Sequence, residues 1–113
     1  MAQKKNPLNL NALQLKTLTL LQELAQIPDY SRPGEEAGSV IVRPPEPHGD
    51  HFHLGEAIVA TRDASGLRNP AVWAALQRKG LIRSMFPFTA ILTPQGLGYE
   101  TGLRDRLLHR SPH

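Results

Sequence analysis

The strongest pattern in the sequence lies near its N-terminus, where leucines recur with the periodicity of a helix. At about 100° per residue these leucines share one broad face, opposite a polar face, which predicts an amphipathic helix. Asn9 or Asn11 is a suitable N-cap, and the helix is predicted to run to Gln26 because Pro28 cannot continue it. The apolar face comprises Leu10, Leu13, Leu18, Leu20, Leu21 and Leu24.

A proline- and glycine-rich insert follows at residues 28–54 and breaks this regular pattern. Within it, residues 39–43 (SVIVR) are rich in β-branched side chains, and residues 51–54 (HFHL) alternate polar with apolar positions. Both patterns are typical of short strands. We expect these two strands to pair antiparallel across the proline-rich connection.

The next segment, residues 55–62 (GEAIVATR), carries signals for both helix and strand. Ile58 and Val59 favour a strand, whereas the alanines favour a helix. Residues 63–66 are typical of a turn, and a clearly helical segment follows them. We therefore predict a short helix, a turn and a longer helix, which is the order of a helix-turn-helix.

The longer helix is predicted to start at Asn69-Pro70, an N-cap followed by proline at the first helical position, and to end at Lys79. Gly80 after a basic residue is a typical helix stop, since glycine takes the left-handed C′ conformation without strain. The inward face of the helix is predicted to comprise Val72, Ala75 and Leu76, with Trp73 at its boundary.

A short β-hairpin and another helix start follow this stop. Leu81-Ile82 and residues 89–92 are the predicted strands, and Thr93-Pro94 is a hydroxyl N-cap followed by proline. Three glycines then weaken the last helix by about 1 kcal/mol each relative to alanine, so we expect a broken helix that regains order over residues 103–108. These glycines are Gly96, Gly98 and Gly102.

Residues 76–96 (LQRKGLIRSMFPFTAILTPQG) resemble the winged helix-turn-helix of small bacterial regulators, in which L-x-x-K-G-L-I … L-T-x-x-G closes the recognition helix and frames the wing. The resemblance implies an α+β, mainly α fold: a three-helix core with a short β-hairpin wing and a strand-containing insert after the first helix. It covers about residues 9–108. We expect one domain over that range, a flexible basic arm at residues 1–8 and a flexible tail at residues 109–113.

The composition of the chain narrows its function only slightly. The chain has 113 residues, no cysteine and a formal net charge of +3 with a pI near 9.7. The lack of cysteine excludes disulfides and thiol chemistry and fits a reducing cytoplasm. No apolar run suits a membrane span or a signal peptide, and the mild positive charge permits contact with nucleic acid.

The family resemblance implies a double-stranded DNA partner, with the second helix of the helix-turn-helix in the major groove and the wing on the backbone. It also implies a homodimer formed through the first helix and the C-terminal segment. The residues then expected to face DNA are Arg68, Asn69, Ala71, Ala74, Gln77, Arg78, Lys79 and Arg83. The competing interpretation is a solvated helix face whose basic last turn complements the helix dipole.

The predicted wing departs from the pattern of DNA-binding wings, which usually carry several basic residues at the tip. Met85, Phe86 and Phe88 surround Pro87 and make this tip apolar. Such a tip neutralises no phosphate and packs well on protein. The alternative function is therefore a protein–protein interaction module that does not read DNA and uses the wing tip and the insert. The two phenylalanines could equally fold back onto the core.

A histidine cluster in residues 48–53 (HGDHFH) supplies the candidate metal ligands His48, His51 and His53. Their spacing matches no metal motif, and histidines that alternate along an exposed strand are more often solvated, so we expect no metal and no cofactor. The sequence also lacks a glycine-rich phosphate loop in a strand–turn–helix context and a conspicuous carboxylate pair. We therefore expect no enzymatic activity.

Overall fold

A computed structural model of the chain describes residues 6–46, 51–54 and 57–110. Within these ranges the chain folds into an α+β arrangement of short helices and two antiparallel sheets. The helices are α1 (Ala12–Leu24), α2 (Pro70–Arg78), α3 (Pro94–Gly98) and α4 (Arg104–Leu107), with 3₁₀-helices at Pro28–Tyr30 and Thr61–Arg68. The strands are β1 (Ser31–Pro33), β2 (Val40–Val42), β3 (His51–Leu54), β4 (Ala57–Ala60), β5 (Ile82–Met85), β6 (Thr89–Leu92) and β7 (His109–Arg110).

Helix α1 is the central element of the core; of the two predicted N-caps, Asn9 and Asn11, Asn11 is the one used, and the helix ends at Leu24 rather than at Gln26. The Asn11 side chain accepts a hydrogen bond from the Gln14 backbone N–H (2.8 Å), and the Gln14 side chain accepts one from the Asn11 N–H (3.0 Å). This reciprocal pair is a capping box, which satisfies two otherwise unpaired donors of the first turn. The buried positions are Thr17, Leu18, Thr19, Leu20, Leu21 and Leu24. Five of them are consecutive, so α1 is covered on every side over its middle turns, whereas the periodicity predicts one buried face.

The predicted helix at residues 55–62 is wrong. Residues Ala57–Ala60 instead form β4, which pairs with β3 so that Ile58 lies opposite His53 and Val59 opposite Phe52. The β-branched pair decides the conformation because Val59 is fully buried and its neighbour β3 lies immediately before it in the sequence. The helical segment begins later, at Thr61, and is a 3₁₀-helix rather than the predicted turn.

The predicted pairing between residues 39–43 and residues 51–54 is also wrong, although both segments are strands. Strand β2 lies between β1 and β6 in a four-stranded sheet of order β1-β2-β6-β5, while β3 lies in a separate sheet of order β3-β4-β7. Val42 of β2 pairs with Ala90 of β6, and both side chains are buried in the core. Burial of β2 against β6 therefore takes the place of a pairing across the proline-rich connection.

The predicted helix–hairpin–helix order after Asn69 is confirmed. Asn69 caps α2 by accepting from the Ala71 N–H (3.0 Å), and Gly80 has the expected left-handed backbone, with φ of 78°. Strands β5 and β6 form a hairpin, and Thr93 caps α3 by accepting from the Gly96 N–H (3.0 Å). The last helix is broken as predicted, into α3 and α4.

The described ends of the predicted arm and tail are bound to the rest of the chain. Asn6 accepts hydrogen bonds from the Leu10 N–H (2.9 Å) and from the Tyr99 hydroxyl (2.6 Å). At the other end β7 pairs with β4 through Ala57 and Ile58. Residues 1–5 and 111–113, which complete the predicted arm and tail, lie outside the described residues.

Trp73 lies in the middle of the core rather than at the predicted boundary of α2. Its side chain is 0% exposed, and its indole N–H donates to the Gly66 carbonyl (3.1 Å). That bond satisfies the one polar group that would otherwise oppose burial of the ring. Trp73 therefore joins α2 to the preceding 3₁₀-helix. None of the helices in the described ranges combines the length and the apolar character needed to cross a lipid bilayer.

Candidate nucleic-acid interface

The exposed face of α2 contains the central residues of the predicted DNA-binding set. Ala71, Ala74, Gln77 and Arg78 are exposed, and they span about 120° of the helix surface at 100° per residue. The opposite face is buried and comprises Val72, Trp73, Ala75 and Leu76. Periodicity therefore placed Val72, Ala75 and Leu76 correctly on the inward face of this helix.

Two amides of the predicted set hold α2 in place. The Gln77 side chain accepts from the Ser84 backbone N–H (2.7 Å) and so ties α2 to β5, while the Asn69 oxygen is used by the N-cap. Each oxygen accepts one hydrogen bond within the chain, and the amide N–H groups remain available to a ligand. Asn69 and Gln77 therefore position the helix as well as face outward.

Four basic side chains lie on or beside this face, and they differ in their partners. The Arg78 side chain makes no ion pair or hydrogen bond with any described residue. Arg68 lies 3.4 Å from Glu46, Arg83 lies 3.7 Å from Glu36, and Lys79 donates to the Leu8 carbonyl (2.8 Å). Both ion pairs join exposed side chains, and such pairs contribute at most about 1 kcal/mol, so an incoming phosphate can displace them.

The apolar residues of the wing divide into one that packs inward and two that face solvent. Phe86 is half-buried and contacts Trp73 edge to face, with ring centroids 5.0 Å apart. Phe88 is 76% exposed and Met85 is 57% exposed. With Leu8, these two are the large hydrophobic side chains that remain exposed in the described part of the chain. The turn between β5 and β6 therefore has an apolar tip and an anchored base.

The histidine candidates are brought together in part. The Nε2 atoms of His51 and His53 lie 3.0 Å apart on β3, whereas His48 lies outside the described residues. Across residues 6–46, 51–54 and 57–110, no group of three or more histidine, cysteine, aspartate or glutamate side chains is arranged to hold a metal ion.

Helix α1 and the C-terminal segment, which the sequence predicts as a dimer surface, contact each other within one chain. The Gln22 amide donates to the carbonyls of Gly96 (2.9 Å) and Tyr99 (2.7 Å), and Arg104 pairs with Glu23 at 2.8 Å. The leucines of α1 are used in the chain's own core. Dimerisation through these elements stays a prediction.

A groove of about 320 Å³ lies beside β1 and β2 and is not among the predicted sites. Its residues include Tyr30, Arg32, Ile41, Arg43 and Thr89. The Arg43 guanidinium lies 4.9 Å from the centre of the Tyr30 ring and donates to the Asp29 carbonyl (2.9 Å). Ile41 of β2 and Arg43, just after that strand, alternate with the buried Val42, and this alternation is the signal in the sequence that indicates the outward face.

Comparisons of the chain with protein-family models, with curated proteins and with solved structures give no match.

Proposed function

We propose that the chain is a winged-helix protein that binds double-stranded DNA. The arrangement that supports this is the sheet order β2-β6-β5 together with α2, which immediately precedes the β5–β6 hairpin. In a winged helix-turn-helix the helix before the hairpin enters the major groove and the hairpin lies against the backbone. Here α2 is that helix, and the Thr61–Arg68 3₁₀-helix takes the place of the first helix of the motif.

The single observation that carries the proposal is the exposed α2 face itself. Ala71 and Ala74 are small, so nothing on the middle of this face keeps the helix away from base edges. Alanine also packs against the thymine methyl group. Arg78 lies on the same face without a partner among the described residues, so it can donate to a base edge or a phosphate at little cost.

The surrounding cations supply phosphate contacts. Arg68 precedes α2, Lys79 follows it, and Arg83 lies on the exposed face of β5. If these three and Arg78 each neutralise one phosphate, the slope of log affinity against log salt is about −3.6. Affinity should then fall roughly 150-fold between about 50 and 200 mM monovalent salt.

The test is fluorescence anisotropy with a labelled mixed-sequence duplex over this salt range. Arg78→Ala should reduce affinity and lower the slope to about −2.7, because one phosphate contact is lost. Arg106→Ala is the matched control: it removes the same charge from an exposed position on α4, which packs on α1. Absence of binding by the folded protein at low salt would overturn the proposal, as would equal losses from the two variants.

A second candidate function is protein binding through the wing tip. The observation that favours it is the exposure of Met85 and Phe88, since an apolar hairpin tip packs on protein and contributes nothing to phosphate neutralisation. Under this alternative, Phe88→Ala leaves the fold intact and removes partner binding, and the Arg78→Ala variant behaves like the parent. Absence of DNA binding at every salt concentration in the anisotropy experiment, with partner binding that Phe88→Ala removes, would favour this function over the first.

A further inference from the structure

The two histidines of β3 form a compact nitrogen pair that the proposed DNA interface does not use. His51 and His53 are two residues apart on one strand, so their side chains lie on the same face of the sheet. Their rings are edge to face, with centroids 4.7 Å apart, an interplanar angle of 80° and Nε2 atoms 3.0 Å apart.

The distance between the two Nε2 atoms fits simultaneous binding to one cation. Imidazole nitrogens bind divalent transition metals at about 2.0–2.1 Å. Two such bonds that span 3.0 Å meet at an angle of about 94°. That angle is typical of square-planar or octahedral coordination, whereas a tetrahedral site requires about 3.3 Å between the nitrogens. We propose that His51 and His53 bind a Cu²⁺ or Ni²⁺ ion, with water completing the coordination.

The strand holds the two histidines at this spacing before any metal binds. All four residues of β3 pair with β4, with His51 opposite Ala60 and His53 opposite Ile58. A paired strand fixes the direction of both side chains, so little conformational entropy is lost when the ion binds. His53 is exposed and His51 is half-buried, which lets an ion reach both nitrogens from solvent.

The competing interpretation is a simple hydrogen bond between two neutral imidazoles, one of which donates through Nε2–H. The distance of 3.0 Å also fits that bond. The two interpretations differ in the use of the Nε2 lone pairs, because a metal ion needs both of them and the shared proton then moves to Nδ1 of its own ring. Binding of one ion that depends on both rings is thus a direct distinction between them.

The experiment is calorimetric titration of the whole chain with Cu²⁺, with electron paramagnetic resonance of the complex. We expect one ion per chain and a tetragonal spectrum with coupling to two nitrogens. His51→Ala and His53→Ala should each weaken binding at least about tenfold, since the second ligand no longer acts at high effective concentration.

His113→Ala is the control, because it removes a histidine that is not part of the pair. If His51→Ala is poorly folded by circular dichroism, His53→Asn at the exposed position gives the same test. Loss of binding in the β3 variants with retention in the control supports the site. Unchanged affinity in either β3 variant, or loss in the control alone, overturns it and leaves the hydrogen-bonded pair.

Discussion

Gly96 and Gly98 lie two residues apart in α3, and the structure predicts opposite effects when each is changed to alanine. A Cβ atom on Gly96 would overlap the Leu81 carbonyl oxygen and lie 2.9 Å from the Leu81 carbonyl carbon. Around Gly98 nothing lies within 4 Å of the added atom, and its backbone is helical. The pair therefore separates packing from helix propensity within one helix.

The cost at Gly96 follows from the contacts that prevent α3 from moving away. Its N–H donates to Thr93 (3.0 Å) and its carbonyl accepts from Gln22 (2.9 Å). Overpacking costs about 1–3 kcal/mol, and a weakened hydrogen bond adds about 1 kcal/mol. The helix propensity of alanine offsets at most about 1 kcal/mol of this. Gly96→Ala should lower the free energy of unfolding by about 1–3 kcal/mol, whereas Gly98→Ala should raise it by up to about 1 kcal/mol.

Urea unfolding followed by Trp73 fluorescence measures both changes, because Trp73 is the only tryptophan and is fully buried. Both variants should keep the slope of the parent against urea, which shows that the native and unfolded states are otherwise unchanged. Similar effects of the two substitutions, within about 0.5 kcal/mol, would refute the argument from packing.

Two further predictions concern α2 and the wing. Phe86→Ala should lower the free energy of unfolding by about 1–3 kcal/mol and change Trp73 emission, because it removes the edge-to-face contact. Phe88→Ala should change the free energy of unfolding by no more than about 0.5 kcal/mol. Equal effects of the two substitutions in the same urea assay would contradict this difference. Asn69→Ala should lower the free energy of unfolding by about 1 kcal/mol because the N-cap is lost. Asn69→Asp should retain most of that stability, since aspartate also caps helices. An alanine variant as stable as the parent would argue against the cap.

The parts of the fold that were predictable from sequence are those set by neighbouring residues. The caps of α1, α2 and α3 rest on side chains within three residues of the N–H they accept from, so Asn11, Asn69 and Thr93 were identifiable. The conformation of residues 57–60 was not predictable, because helix and strand signals balance there. The pairing with β3 makes this segment a strand. The pairing of β2 with β6 instead of β3 was not predictable either, because β6 lies about fifty residues away in the chain.

The candidate interface shows the same limit at the level of side chains. Periodicity predicts which α2 residues face outward, but it cannot show that Gln77 holds Ser84 or that Lys79 reaches Leu8. It also cannot show which of the two wing phenylalanines is buried, since both lie next to Pro87 in an apolar run. Their separation depends on Trp73, which is buried and contacts Phe86, whereas Phe88 is exposed.

The contacts that anchor α2 and the hairpin make the two candidate functions separable by single substitutions. Gln77 ties α2 to β5, and Phe86 ties the turn to Trp73, so both surfaces are presented by a fixed framework. Arg78 and Phe88 lie on that framework without a structural task of their own among the described residues. Removing either side chain should therefore leave the fold unchanged. A loss of binding in one variant but not in the other then reports directly which surface meets the partner.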